Sequence, residues 1–339
     1  MFPIPKYVTI LPFYQGSPIS TIRQFDLERV DIKGMRSSSH EHRHIAYLFL
    51  ILTTSIWGSL YVVTRIALET VPPITLLFFR YVVASCALYV LARHSGKLVP
   101  IQPEHRKYIF FIGAVAYFLS VGAQILGTKY AGPSVAALIN AMNPVFITLF
   151  AVFLLKEKLT FSKVFALLTT LAGAYIILGG AQNIGAVIGI AFSLFSVLLW
   201  SISAIFVRRV TQYYNPITVT AYAVFVATLC AFPAASIELF LVPPSSIFSL
   251  TNLLCVLYLG VICTGLASIL WNKSLSLVEA STCSLFYPIQ PLVSVLLGIA
   301  VLGEKMSLRF IIGALLIVGG ILYATLAEKR STETTQPIL

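Results

Sequence analysis

Apolar residues gather into ten long runs separated by short polar breaks, near residues 45–68, 74–91, 108–127, 134–155, 163–180, 185–207, 217–242, 250–270, 281–302 and 308–326. A bilayer core takes about 20 mostly apolar residues per helix. Backbone amides and carbonyls in lipid must also be bonded within the segment itself, so runs of this length predict α-helices and not barrel strands. The pattern therefore predicts an all-α integral membrane protein with ten transmembrane helices.

The fourth and ninth runs align in register 147 residues apart. Ser134 matches Ser281, Leu138 matches Leu285, Pro144 matches Pro291, Leu149 matches Leu296, and Glu157-Lys158 matches Glu304-Lys305. Asn143 and Gln290 stand at the same place, each an amide directly before a proline. The duplication extends further: Trp57, Arg65 and Pro73-Ile74-Thr75 recur as Trp200, Arg208 and Pro216-Ile217-Thr218 at an offset of 143, and Gly173 recurs as Gly320. Two repeats follow, 45–180 and 185–327, between an N-terminal tail (1–44) and a C-terminal tail (328–339). Each repeat holds an odd number of spans, so the second must enter the membrane upside down relative to the first. Inverted repeats characterise secondary transporters, whose substrate site lies near the midplane between the halves.

Composition and charge fit this reading. The chain is 58% hydrophobic and only 10% charged, where soluble proteins carry about 25% charge. A net charge of +11 would suggest nucleic acid in a soluble protein. Here the basic residues sit in the breaks, which is the pattern of a topology signal. With the N-terminus inside, 18 of the 23 lysines and arginines fall on the cytoplasmic side and three outside, and Arg65 and Arg80 lie within helices. Both termini are therefore expected in the cytoplasm, and no nucleic-acid partner is expected. All five cysteines (Cys86, Cys230, Cys255, Cys263, Cys283) fall in apolar runs and read as buried small hydrophobes. The opening residues lack the form of a signal peptide, and either Met1 or Met35 serves as the start. His40-Glu41-His42-Arg43-His44 reads as a solvated basic tail, not a metal site.

The motif residues carry a resemblance. Ile56-Trp57-Gly58, Phe79-Arg80-Tyr81, Leu155-Lys156-Glu157-Lys158-Leu159, Gly303-Glu304-Lys305 and the glycine-rich fifth and tenth spans occur in a recognisable order and spacing. Over residues 45–327 the chain resembles the drug/metabolite transporter superfamily in its ten-helix form with two EamA-like repeats. The resemblance implies a helical bundle around a central cavity that carries small polar metabolites or drugs, without naming the cargo. One departure is that Ala223 stands where the second repeat would place the counterpart of Arg80, which makes the cavity electrostatically asymmetric.

Polar residues deep in apolar spans are costly and point to function. Arg80 lies six residues into its span, about 9 Å below the outer end at 1.5 Å per residue. It either snorkels to the outer headgroups or grips a substrate carboxylate with its planar guanidinium. Gln124, Asn140, Asn143 and Gln290 either bond cargo or tie helices together. Asn143 and Gln290 carry extra weight because each precedes a proline, where freed carbonyls can face a cavity. Trp57, Tyr61 and Tyr287 are aromatic candidates for the site, with core packing or an interface belt as the competing role.

The chain holds no P-loop, and its histidines and carboxylates lie in breaks, tails or helix ends. Neither ATP-driven pumping nor intramembrane catalysis by an acid pair or a nucleophile–histidine pair is expected. No cofactor and no metal is expected. The sequence reads as a facilitator or exchanger of a small polar metabolite in a bacterial inner membrane, as monomer or homodimer. An amino acid or amino-acid derivative fits best, S-adenosylmethionine-like compounds included. A multidrug exporter of the same fold is the alternative, and a non-transporting membrane receptor or scaffold the rival of another class.

Overall fold

The computed structural model describes residues 20–155, 160–179, 183–241, 249–277, 283 and 286–335. Ser281, Leu285 and Glu157-Lys158 therefore lie outside the described residues. The chain forms two compact units, Met1–Ile45 and Ala46–Leu339. In the first, the described residues begin α1 (Ser20–Ala67). The second holds everything that follows.

Its elements are all helical: α2 (Pro73–His94), α3 (Pro103–Ala131), α4 (Pro133–Asn140), α5 (Asn143–Leu155), α6 (Phe161–Leu178), α7 (Ile184–Val210) and α8 (Pro216–Leu241) come first. Next comes α9, built from Leu250–Leu257, Tyr258–Leu266 and Ala267–Leu277, then α10 (Ile289–Leu302) and α11 (Leu308–Thr335). Prolines open α2, α3, α4 and α8, where the missing N–H is unpaired in any case and the fixed φ suits the first turn. The helices at both chain ends run past the apolar spans into segments read from the sequence as tails.

Among the described residues, six helices are long and apolar enough to cross a membrane: His44–Ala67, Pro73–His94, Pro103–Ala131, Ile184–Val207, Pro216–Leu241 and Leu250–Trp271. Four shorter apolar helices, Pro133–Ile147, Val164–Leu178, Ile289–Leu302 and Leu308–Tyr323, stand at spans 4, 5, 9 and 10. The surface is the reverse of a soluble protein's. Phe153, Tyr175, Leu229 and Leu315 are exposed, whereas Thr53, Ser120, Asn140, Ser196 and Ser294 are buried. This is a multi-pass membrane protein.

Two features depart from the continuous α-helices that the sequence predicts. The third and eighth spans each contain a π-helical stretch, Ile112–Ser120 in α3 and Tyr258–Leu266 in α9. The fourth and ninth spans are broken by turns, at Ala141-Met142 and at Phe286–Pro288. Hydrogen bonds from the Met142 amide to the Ile139 carbonyl (3.0 Å) and from the Ile289 amide to the Phe286 carbonyl (3.1 Å) close these turns at matching repeat positions. The prolines do not cut the spans from within: Pro144 and Pro291 sit in the first turns of α5 and α10, just after each break.

Small residues let the helices approach closely, as packing without a hydrophobic drive between helices requires. A Cβ on Gly113 of α3 would lie 2.7 Å from the Ala223 carbonyl and 2.6 Å from Val226 Cβ of α8. A Cβ on Gly260 of α9 would lie 2.8 Å from the Arg80 carbonyl and 2.9 Å from Val83 Cβ of α2. These are the same contact in repeat numbering, with the partners exchanged. Gly173 of α6 likewise abuts Gly313 of α11, while Gly320 of α11 abuts Ala166 and Thr169 of α6. At the far end of α10, Gly303 takes the left-handed conformation (φ 65°), and the Glu304 amide bonds back to the Gly298 carbonyl at 3.1 Å. The turn delivers the Glu304 carboxylate to the Ser134 hydroxyl at the start of α4, where the helix dipole favours a negative charge.

Gly173→Ala is therefore expected to destabilise the purified protein by about 1–3 kcal/mol, because backbone would have to move. Gly122→Ala, whose new Cβ meets Leu77 at 3.6 Å and Ile74 at 3.9 Å, both ordinary contacts, should be neutral or mildly stabilising. Thermal unfolding in detergent compares the two.

Candidate functional site

A cavity with about 660 Å³ of empty space, its mouth included, lies among α1, α2, α3, α4, α5, α7, α9 and α10. The eight residues singled out from the sequence, namely Arg80, Asn143, Gln290, Asn140, Gln124, Trp57, Tyr61 and Tyr287, all line it. Both repeats contribute. So do all four departures from α-helical geometry: Ser120 and Thr264 stand in the π-helical stretches, and Asn140, Asn143, Tyr287 and Gln290 flank or occupy the two breaks.

Arg80 projects from α2 into this space and is 5% exposed. Its Nε donates to Thr264 Oγ1 at 2.8 Å. That hydroxyl in turn donates to the Leu259 carbonyl, five residues back along the π-helical stretch, at 2.8 Å. The guanidinium carbon also lies 5.7 Å from the centre of the Tyr81 ring, within cation–π range. One terminal nitrogen, Nη1, is buried with no hydrogen-bond partner among the described residues. A buried cationic donor left unpaired is expensive.

The amides divide by what they touch. Asn143 Nδ2 donates to the Asn140 carbonyl at 2.7 Å, and its Oδ1 accepts from Ser201 of α7 at 3.1 Å. It closes the α4–α5 break and ties that break to the second repeat. Asn140 Nδ2 donates to the Ala136 carbonyl of its own helix at 3.0 Å. Gln124 Nε2 donates to Tyr61 Oη at 2.6 Å, joining α3 to α1. Gln290 is 7% exposed at the first turn of α10.

The aromatic residues wall the cavity. Tyr61 is fully buried. Trp57 packs against Trp271 at 5.3 Å between ring centres, and Trp271 meets the Tyr287 edge at the same separation. The Trp57 indole N–H donates to the Cys263 carbonyl at 3.1 Å, again inside the π-helical stretch. Opposite them, Tyr117 and Trp200 form an edge-to-face pair at 5.7 Å.

Sequence reasoning missed Tyr81, Tyr117, Ser120, Ser196 and Thr264 as cavity residues. Tyr81 had a signal, since it adjoins Arg80. Serine and threonine had none: in apolar helices they commonly bond their own backbone, and only the π-helical turn aims Thr264 at Arg80.

An all-helical, multi-pass membrane chain with a polar, aromatic cavity built from both repeats has the makings of a transporter, and the known proteins it matches agree. It matches the EamA-like transporter family over residues 44–179 and 187–326. The chain belongs to that family, within the drug/metabolite transporter superfamily. An uncharacterized transporter of Archaeoglobus fulgidus is 27% identical over 282 residues, covering 81% of this chain and 96% of its own. The uncharacterized transporter YoaV of Bacillus subtilis is 24% identical, over 84% and 97%. Protein PagO of Salmonella typhimurium is 27% identical, over 86% and 96%. A solved crystal structure 24% identical in sequence superposes with a TM-score of 0.62, covering 85% of this chain and 99% of its own, and supports the fold. Family and relatives indicate a membrane transporter and not an enzyme.

Asn143→Ala should lower both transport and thermal stability, the latter by about 1–3 kcal/mol, because it removes the side-chain donor to the Asn140 carbonyl and leaves the Ser201 hydroxyl only its longer 3.4 Å bond to the Asn143 carbonyl. Transport assayed per inserted molecule, beside a melting curve, separates the two losses. Unchanged stability would show that the joint does not depend on this amide.

Proposed function

We propose that this transporter is a facilitator or exchanger of a small metabolite bearing a carboxylate, an amino acid or amino-acid derivative in class, bound in the cavity at Arg80. The observation that carries the reading is the buried, unpartnered Nη1 of Arg80 at the wall of that cavity. Thr264 fixes Nε, so the remaining donors can present a fork to a planar anion, the geometry in which guanidinium grips carboxylate at two points. The other polar lining groups serve orientation and the aromatic walls receive the apolar part. Among the described residues lining the cavity there is no carboxylate or histidine to carry a proton, which favours exchange or facilitated passage over proton symport.

The halves work, in this reading, as inverted five-helix repeats (45–180 and 185–327) with both termini in the cytoplasm of a bacterial cell. Reciprocal packing supports it: Gly113 on Ala223 and Val226 mirrors Gly260 on Arg80 and Val83. So does the pairing of loops. Thr70 with Asn252, Thr75 with Glu238, Ser134 with Glu304 and Arg309 with Gly179 all join odd-numbered breaks or the helix ends beside them. Thr218 with Lys97 and His105 with Tyr214 join even-numbered ones. That sorting is what ten full crossings produce. Ser85 of α2 and Thr228 of α8, equivalent positions 143 residues apart, hydrogen-bond to each other at 3.0 Å. A contact between equivalent residues lies on the pseudo-two-fold axis.

Exchange of the two halves maps an on-axis contact onto itself. A disulfide joining Ser85→Cys and Thr228→Cys should therefore leave transport largely intact, whereas one joining Ser134→Cys and Glu304→Cys should block it. The reverse pattern, in proteoliposomes under oxidising and reducing conditions, would refute the axis.

Substrate recognition is tested by counterflow with acids and their methyl esters side by side. Arg80→Ala should abolish the preference for acid over ester, with an affinity loss of about tenfold or more for the acid, since a charge-assisted bond contributes about 1.5–3 kcal/mol. Arg80→Lys should restore only part of it. Equal losses for acid and ester would remove the support for a carboxylate grip.

A further inference from the structure

The charge balance of the cavity narrows the cargo further. Arg80 is the only charged side chain among the described residues that line it. A zwitterionic amino acid would bring a carboxylate to the guanidinium, and with it an ammonium two bonds away. That ammonium would lie close to a like charge with no carboxylate to receive it. Aromatic faces are the usual substitute partner for a cation, and in this cavity a face near the guanidinium would have to serve two cations at once. Tyr81 already lies beside the Arg80 guanidinium, and Trp57 is packed on Trp271. An ammonium taken from water to a site that offers it only neutral amide and hydroxyl oxygens is disfavoured, and juxtaposed like charges disfavour it again. A monoanion, in contrast, brings the site to neutrality and satisfies Nη1.

We infer that, among the carboxylate-bearing metabolites proposed above, the cavity favours monoanions with an aromatic body whose neighbouring substituent is neutral, such as an acylated amine, a hydroxyl or a ketone, which narrows the proposed class to amino-acid derivatives and related acids and sets free amino acids behind them. The inference rests on the reading that Arg80 grips a substrate carboxylate. It sets S-adenosylmethionine-like compounds last, because their net positive charge adds to that of Arg80.

The test compares 3-phenyllactate with phenylalanine, a pair differing in one position, hydroxyl against ammonium. Binding to the purified full chain is measured by isothermal titration, with N-acetylphenylalanine and methyl 3-phenyllactate alongside. Phenyllactate and N-acetylphenylalanine should bind about tenfold or more tighter than phenylalanine, and Arg80→Gln should remove the difference. Phenylalanine binding as tightly as phenyllactate would overturn the selectivity while leaving the carboxylate grip standing, provided the ester still binds poorly. An ester that binds as well as the acid would overturn the grip and the selectivity together, as would failure of every acid to bind. The wild-type comparison needs no variant, so a misfolded Arg80→Gln protein does not spare the inference.

Discussion

Inside a bilayer an unpaired backbone amide or carbonyl has no water to bond, and this single constraint shapes the molecule. It forces the spans into helices and makes every departure from α-helical geometry expensive unless something else satisfies the freed groups. Four departures occur in the described membrane spans, two π-helical stretches and two breaks, and all four border the same cavity. Side chains answer them directly. Trp57 donates to the Cys263 carbonyl, Tyr81 to the Tyr117 carbonyl and Asn143 to the Asn140 carbonyl. The polar interior of the protein is thus the place where helical regularity was given up and then repaired.

That repair also prepares the site. The π-helical turn that lets Thr264 bond the Leu259 carbonyl holds its oxygen against Arg80 Nε, so a backbone irregularity in α9 orients a cation on α2. The Asn143 amide has a comparable double role, closing the α4–α5 joint while reaching α7 of the other repeat through Ser201. Function and packing are therefore not separable residue by residue here. Side chains that line the cavity also hold its walls together, and among the described residues that line it Arg80 carries a buried nitrogen left without a partner.

Much of the site was legible in the sequence because a bilayer penalises polarity so strongly. A guanidinium or an amide in the middle of an apolar run has few inexpensive places to be, and the cavity is one of them; this is why Arg80, Gln124, Asn140, Asn143 and Gln290 could be named without a structure. The aromatic residues were ambiguous, since a ring gains as much from packing as from lining a cavity. That Trp57, Tyr61 and Tyr287 border one cavity followed only from their positions in space. Ser120, Ser196 and Thr264 were invisible, because a hydroxyl in a helix can always bond its own backbone.

The sequence by itself determined that the chain is helical, crosses a membrane repeatedly, is internally duplicated, and carries a few polar groups that lipid would not tolerate. These follow from local composition and period, which lipid reads one segment at a time. What only the tertiary structure decided is which polar groups meet, where the helices break, and which donor stays unpaired. Those outcomes depend on contacts between residues more than a hundred positions apart, such as Arg80 with Thr264 or Ser134 with Glu304. The energies that set them belong to the assembled interior, and no single span contains them.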